Sequence, residues 1–188
     1  MAATQPTRTM ARQDGRQAAA IAIEGLSAVL EQLARVLDGM TDDAFAIVPG
    51  GPFRTSHVGN HVRHCLDHVE QLLTGLVDGV IRYDRRCRGT AIETDRTQAI
   101  EAIDRMARRL AQLGDVNPER TVRVEDSATA EGPRLATTST AGRELMFVIS
   151  HTVHHNATIG AMIRQMGGEV PEAFGLAPST AAWIRSQA

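Results

Sequence analysis

Aromatic residues make up only 3% of this 188-residue chain, with one Trp, one Tyr and four Phe. A core must therefore rest on Leu, Ile, Val, Ala and Met, which suits helices packed on helices better than a β-sandwich. Cysteine is nearly absent too: Cys65 falls inside a helical pattern and Cys87 in a charged stretch. Two thiols build no disulfide framework, so the small secreted class is excluded and a reducing cytoplasm is the expected setting. No apolar run approaches the ~20 residues of a membrane span. The opening stretch "MAATQPTRTMARQDGRQ" has no apolar segment of the signal-peptide kind. Net charge is small, at −2, so nothing draws the whole chain to nucleic acid or to an anionic membrane.

Residues 1–14 read as a disordered tail and residues 15–188 as one helical domain, of ordinary size for a single core. From Gln17 to Leu37, Ile21, Leu26, Val29, Leu30, Leu33, Val36 and Leu37 recur at helical spacing. "VPGGPF" then breaks the chain. A second helix begins at Ser56 as N-cap and runs to about Val77, with Val58, Val62, Leu66, Val69, Leu72, Leu73 and Leu76 on one side. A polar connection holds the arginines of "RYDRRCR". Thr94 or Asp95 caps a third helix, which carries Ile100, Ile103, Met106 and Leu110 and stops near Gly114. "TVRVED", "EGP" and "RLATTST" predict a short hairpin or extended loop. A fourth helix starts near Thr140, carries Leu145, Val148, Thr152, Ile159, Ile163 and Met166, and stops at Gly167 and Gly168. "APSTAAWIRSQA" adds a short last helix. The expected fold is an all-α four-helix bundle.

What the chain does have is histidine in two places only. His57, His61, His64 and His68 lie in "SHVGNHVRHCLDH", and His151, His154 and His155 in "HTVHHN". At about 100° per residue, His151, His155 and Glu144 share the core-facing stripe of the fourth helix, while His154 points about 60° the other way. Two inward imidazoles one turn apart converge on one metal ion. A pair of buried structural histidines is the competing reading. On the second helix all four histidines fall within about 60° of arc, beside the apolar face. One of them would complete three protein ligands with open positions, the arrangement of a catalytic metal. Helical phase alone puts His61 nearer the apolar face than His64.

These segments resemble the DinB superfamily of metal-binding four-helix proteins. "SHVGNHVRHCLDH" resembles the second helix of that family, where a ligand histidine follows an apolar residue and a Gly. "HTVHHNATIGAMIR" resembles its fourth-helix HxxxH signature, and "STAGRELMFVISHTVHH" the segment leading into it. The resemblance extends from the first helix to "FGLAPST". It implies an up-down-down-up chain path, a homodimer, and His64, His151 and His155 as ligands of one divalent ion, Zn or Ni first and Fe or Mn next. His61 is held in reserve, and whether His61 or His68 replaces or joins His64 stays open. Some relatives act as thiol S-transferases, which implies a small-molecule substrate, a low-molecular-weight thiol among the choices. Family members often follow the second histidine of HxxxH with Arg-Gly-Gln; here Asn156, Ala157 and Thr158 stand instead.

The expected function is thus a metal-dependent enzyme performing thiol transfer or hydrolysis on a small molecule, without nucleic acid or membrane as partner. A non-catalytic, stress-related metal-binding protein and a dimeric scaffold with structural histidines are the alternatives. Glu144 is a candidate catalytic base, a fourth ligand or an acceptor orienting a ligand histidine, or simply an ion-paired helix-start residue. Tyr83, Arg86 and Arg88 are placed at the mouth as a grip for an anionic substrate, against a loop pinned by ion pairs to Asp84 and Glu93.

Overall fold

Apolar residues at helical spacing bury one stripe each, and the helices form where those stripes lie. The computed structural model of the chain describes residues 8–187, with side chains from residue 15 onward. In chain order the elements are α1 (Arg8–Asp38), a short α2 (Asp42–Ala46), α3 (Val58–Asp78), β1 (Val80–Arg82), a 3-10 turn (Ala91–Glu93), α4 (Arg96–Ala111), β2 (Thr121–Ser127), β3 (Arg134–Thr140), α5 (Ala141–Gln165) and α6 (Pro178–Gln187). The protein is mostly helical with one small sheet. The tail expected over residues 1–14 lies, in its first seven positions, outside the described residues, and α1 begins at Arg8 rather than Gln17.

α1 packs on α4 and α5, and α3 packs on the same two helices. Leu26, Leu30, Leu33 and Leu37 of α1 meet Val62, Val69 and Leu72 of α3, Ile103 and Leu110 of α4, and Leu145, Val148 and Ile159 of α5 in one continuous core. Each fully buried aliphatic side chain contributes about 1.5–3 kcal/mol through loss of apolar surface from water. Ile21 departs from its expected stripe and is exposed. No helix among the described residues is long and apolar enough to cross a membrane.

The caps fix where the helices start. Asp95 accepts from the Gln98 amide and Thr140 from that of Arg143, as their side-chain chemistry predicts. At α3 the N-cap is His57, not Ser56: Asn60 Oδ1 reaches back to accept from the His57 amide at 3.1 Å. Ser56 is drawn instead toward His61, its Oγ lying 3.2 Å from His61 Nε2. α5 stops at Gly167, whose φ of 81° only glycine adopts freely, with the Gly168 amide donating to Ile163 O.

The expected hairpin is present, with β2 antiparallel to β3 and Thr121 opposite Thr140. It is joined by a strand the sequence did not announce. β1 runs parallel to β2, with Ile81 opposite Val124. Its approach to α3 is close: a Cβ at Gly75 would collide with Ile81. Buried Ile81 and Val122 tie this sheet to the helical core. The sheet thereby carries Tyr83 and the arginine loop to the face of α3 and α5.

Candidate metal centre

α3 and α5 pack side by side, and this brings both histidine clusters together. From α3 come His61, His64 and His68, spaced so that all lie on one face. From α5 come His151 and His155, one turn apart. The His64 ring sits 4.9 Å from that of His151 and 4.7 Å from that of His155, centroid to centroid. His151 and His155 are 4.6 Å apart. The three residues expected as ligands are therefore mutual neighbours.

His68 adds a ring that helical phase and resemblance left open. It is buried, stacks on His151 at 3.9 Å and lies 4.5 Å from His64. Ligand nitrogens of His64, His68 and His151 all lie within 4.8 Å of one another, a group able to hold an ion. His155 lies against the rings of His64 and His151, but its Nδ1 is turned 2.9 Å from Nδ1 of His61. His61 is thus in the cluster at its edge. His154 points out to solvent, and His57 sits at the N-cap of α3 with its Nδ1 buried and without a hydrogen-bond partner among the described residues.

The chemistry of these nitrogens suits a divalent cation. His64 Nε2 and His151 Nε2 face each other at 3.1 Å. Nitrogens bound at ~2.0–2.1 Å around a tetrahedral ion sit about 3.3 Å apart, so the spacing fits. The carbonyl of His64 lies 3.0 Å from His68 Nδ1. A carbonyl only accepts, so Nδ1 carries the proton and His68 Nε2 keeps a free lone pair. Burial, with the neighbouring imidazoles adding to it, pushes His64 down to about 2, His155 to about 3 and His151 to about 4. Desolvation also lowers His61 and His68. Near neutral pH these rings are uncharged, the form that donates a lone pair.

Glu144 stands behind the cluster. It is fully buried and accepts from Tyr83 Oη at 2.9 Å, Ser139 Oγ at 2.6 Å and Arg143 Nη1 at 2.8 Å. Both oxygens are engaged, and no hydrogen bond joins Glu144 to a histidine among the described residues. Its influence passes through Tyr83, whose ring stacks 5.1 Å from His68 at 13°. Tyr83 is itself buried, so it belongs to the wall of the site rather than its mouth. Burial and the Glu144 carboxylate push its phenol up, keeping it a hydrogen-bond donor. Sequence reasoning had no signal for this link, because β1 and the β2–β3 hairpin create it.

The arginine loop resolves differently from the expected pinning. Asp84 pairs with Arg134 at 2.6 Å and Glu93 with Arg63 at 3.0 Å. Arg86 and Arg88 are exposed and make no ion pair among the described residues. Cys65 is a core thiol, pushed up to about 12 by burial, and takes no part in the cluster. Asn156 is buried and donates to Val29 O, tying α5 to α1.

Comparison with known proteins points one way. The family model of the DinB superfamily matches residues 25–159. The fold is similar to the crystal structure of a DinB-like protein, YjoA, from Bacillus subtilis, with a TM-score of 0.55 and 17% identity over 80% of this chain and 94% of that one. A protein of Rhizopus delemar named FK506-binding protein 5 is 32% identical over 109 residues. That match takes in 57% of this chain but 28% of the fungal protein, so the chain spans less than a third of that relative's length.

Proposed function

The chain belongs to the DinB superfamily, and on that footing we propose that the α3–α5 histidine cluster binds one divalent metal ion, Zn or Ni before Fe or Mn, and acts on a small molecule by thiol S-transfer or hydrolysis. The observation that carries this is the pair of Nε2 atoms of His64 and His151, 3.1 Å apart on two helices, with the lone pair of His68 Nε2 left free. His155 is the further ligand, its ring against both. The four long helices form a bundle with an up-down-down-up path; the packing of α1 and α3 each on α4 and α5 supports this.

A bound ion would supply Lewis acidity and lower the pKa of a thiol or water beside it. The chain's own residues supply the rest. Glu144 holds the Tyr83 hydroxyl, and the Tyr83 ring holds the plane of His68. The His64 carbonyl holds the His68 tautomer. Phe147, 5.8 Å from the His151 ring, shields that side from water. Two unbonded cysteines, one buried and one exposed, accord with a reducing compartment.

A second reading has a specific observation behind it. If His64, His68, His151 and His155 all bind, the sphere is closed, and the protein holds metal without catalysis. Metal dissociation constants of untagged protein decide. His64→Ala and His151→Ala are expected to lose several kcal/mol of metal affinity, because ligands are lost outright. His61→Ala is expected to cost far less. Equal loss for His68→Ala and His155→Ala favours the closed sphere; loss for one alone favours a three-ligand open site. Protein with no bound ion and no measurable affinity would overturn both.

A further inference from the structure

Beside the histidines lies an open cleft of ≈ 800 Å³ with walls charged in both signs. One wall is the loop after β1, bearing Asp84, Arg86 and Arg88; the other is the turn of the β2–β3 hairpin, residues 126–130. One observation ties it to the cluster. Tyr83, next to Asp84 in the chain, stacks on His68.

These charges are not spent on one another. Asp84 Oδ2 pairs with Arg134, yet Asp84 Oδ1 is buried and has no hydrogen-bond partner among the described residues. Arg86 and Arg88 share the cleft with two carboxylates and pair with neither. A buried carboxylate oxygen without a donor is held at a cost, which an N–H from a ligand relieves. A guanidinium fork matches a carboxylate bidentately. A plain anion would be opposed by Asp84 and Asp126, and a plain amine by the two arginines. A ligand bearing both charges a few bonds apart is opposed by neither.

We propose that this cleft recognises the head group of a zwitterionic, amino-acid-like small molecule, with Arg86 and Arg88 taking its carboxylate and Asp84 its ammonium. Its remaining chain extends to the histidines, a clause that rests on the metal-centre reading; the head-group recognition rests on the cleft alone.

The test uses one probe in four forms: L-methionine, its methyl ester, N-acetylmethionine, and the doubly blocked N-acetyl methyl ester. Each is titrated into metal-free and Zn-loaded full-length protein, following amide shifts of residues 84–88 and 126–130. Methionine is expected to bind about tenfold tighter than either singly blocked form, with or without the ion. Arg86→Gln with Arg88→Gln should reduce the gap between methionine and its ester to under about twofold, with the helical circular dichroism unchanged. Asp84→Asn should close the gap to N-acetylmethionine. Because Asp84 also anchors Arg134, the two exposed arginines carry the decision if that variant misfolds. Four probes binding within about twofold of one another would overturn the inference. So would a preference seen only with Zn, which is chelation of the ion. In both cases metal retained by His64 and His151 leaves the metal-centre reading standing, and a protein that binds no added ion yet keeps the preference refutes the metal-centre reading alone.

Discussion

Among the described side chains, α1 and α4 bury only aliphatic residues and alanine, whereas α3 and α5 bury polar ones as well. Among the described residues, Arg63, His68, Glu144, Thr152 and Asn156 are the buried polar and charged residues, and every one lies on α3 or α5. The half-buried His61, His64, His151 and His155 lie there too. Burying an imidazole forgoes its hydration and gives less than a leucine would in the same space. All four helices supply the core, and α3 and α5 carry buried polar side chains in addition. The α3–α5 face is built for something that the α1–α4 face has no need to do.

The comparison breaks most easily at its apolar side. Leu30→Ala is expected to cost about 2–5 kcal/mol of unfolding free energy, the transfer loss plus the residual cavity. Its metal affinity per folded molecule should be unchanged, because Leu30 is fully buried on α1 and touches no histidine function. His64→Ala in metal-free protein should cost under about 1 kcal/mol, since it removes a half-buried base rather than a core side chain. Urea unfolding of both variants measures this. If His64→Ala costs as much as Leu30→Ala without metal, the histidines are structural and the two faces do not differ as claimed.

Acid sharpens the comparison to a smaller degree. Burial pushes His64, His155 and His151 in the folded protein down to about 2, 3 and 4, below the ordinary imidazole value. The unfolded chain binds those protons first, near pH ~6.5. Metal-free protein should keep its full stability above that pH and lose it as pH falls through 6 toward 4. Bound metal should hold the plateau to lower pH, because protons and ion compete for the same lone pairs. Replacing His64, His151 and His155 together by Gln should flatten the profile between pH 6.5 and 4. An unchanged profile in that variant would place the acid sensitivity outside these three histidines.

Much of this difference was legible in the sequence, and the exceptions have physical causes. Strong 3.6-residue stripes predicted the four long helices, and every stripe position of α3 is buried as expected. Alternation in "TVRVED" predicted β2. β1 was hidden because three residues carry no period, and its partner β2 lies far along the chain. The cap of α3 shifted from Ser56 to His57 because Asn60, an Asn at N3, serves the His57 amide. The gathering of His64, His151 and His155 could be argued from phase and family resemblance together. The place of His68 could not. Helical phase leaves it among four histidines on one arc, and only the stacking of Tyr83 and the His64 carbonyl single it out.

The smallest expected effect is at His154, and it is the sharpest control. His154 sits beside His155 in the chain, with rings 5.3 Å apart, yet its side chain is exposed on the outer face of α5. A helical step of about 100° is the whole difference between the two positions. His154→Ala should change stability by no more than about 0.5 kcal/mol, as surface substitutions do. Its charged form disfavours protonation of His151 and His155, so its removal should ease the acid loss slightly. Metal content, read by elemental analysis of untagged protein, should equal that of the wild type. If His154→Ala releases the ion as His155→Ala is expected to, then proximity in sequence rather than orientation on the helix selects the ligands, and the inward face of α5 loses its claim to the site.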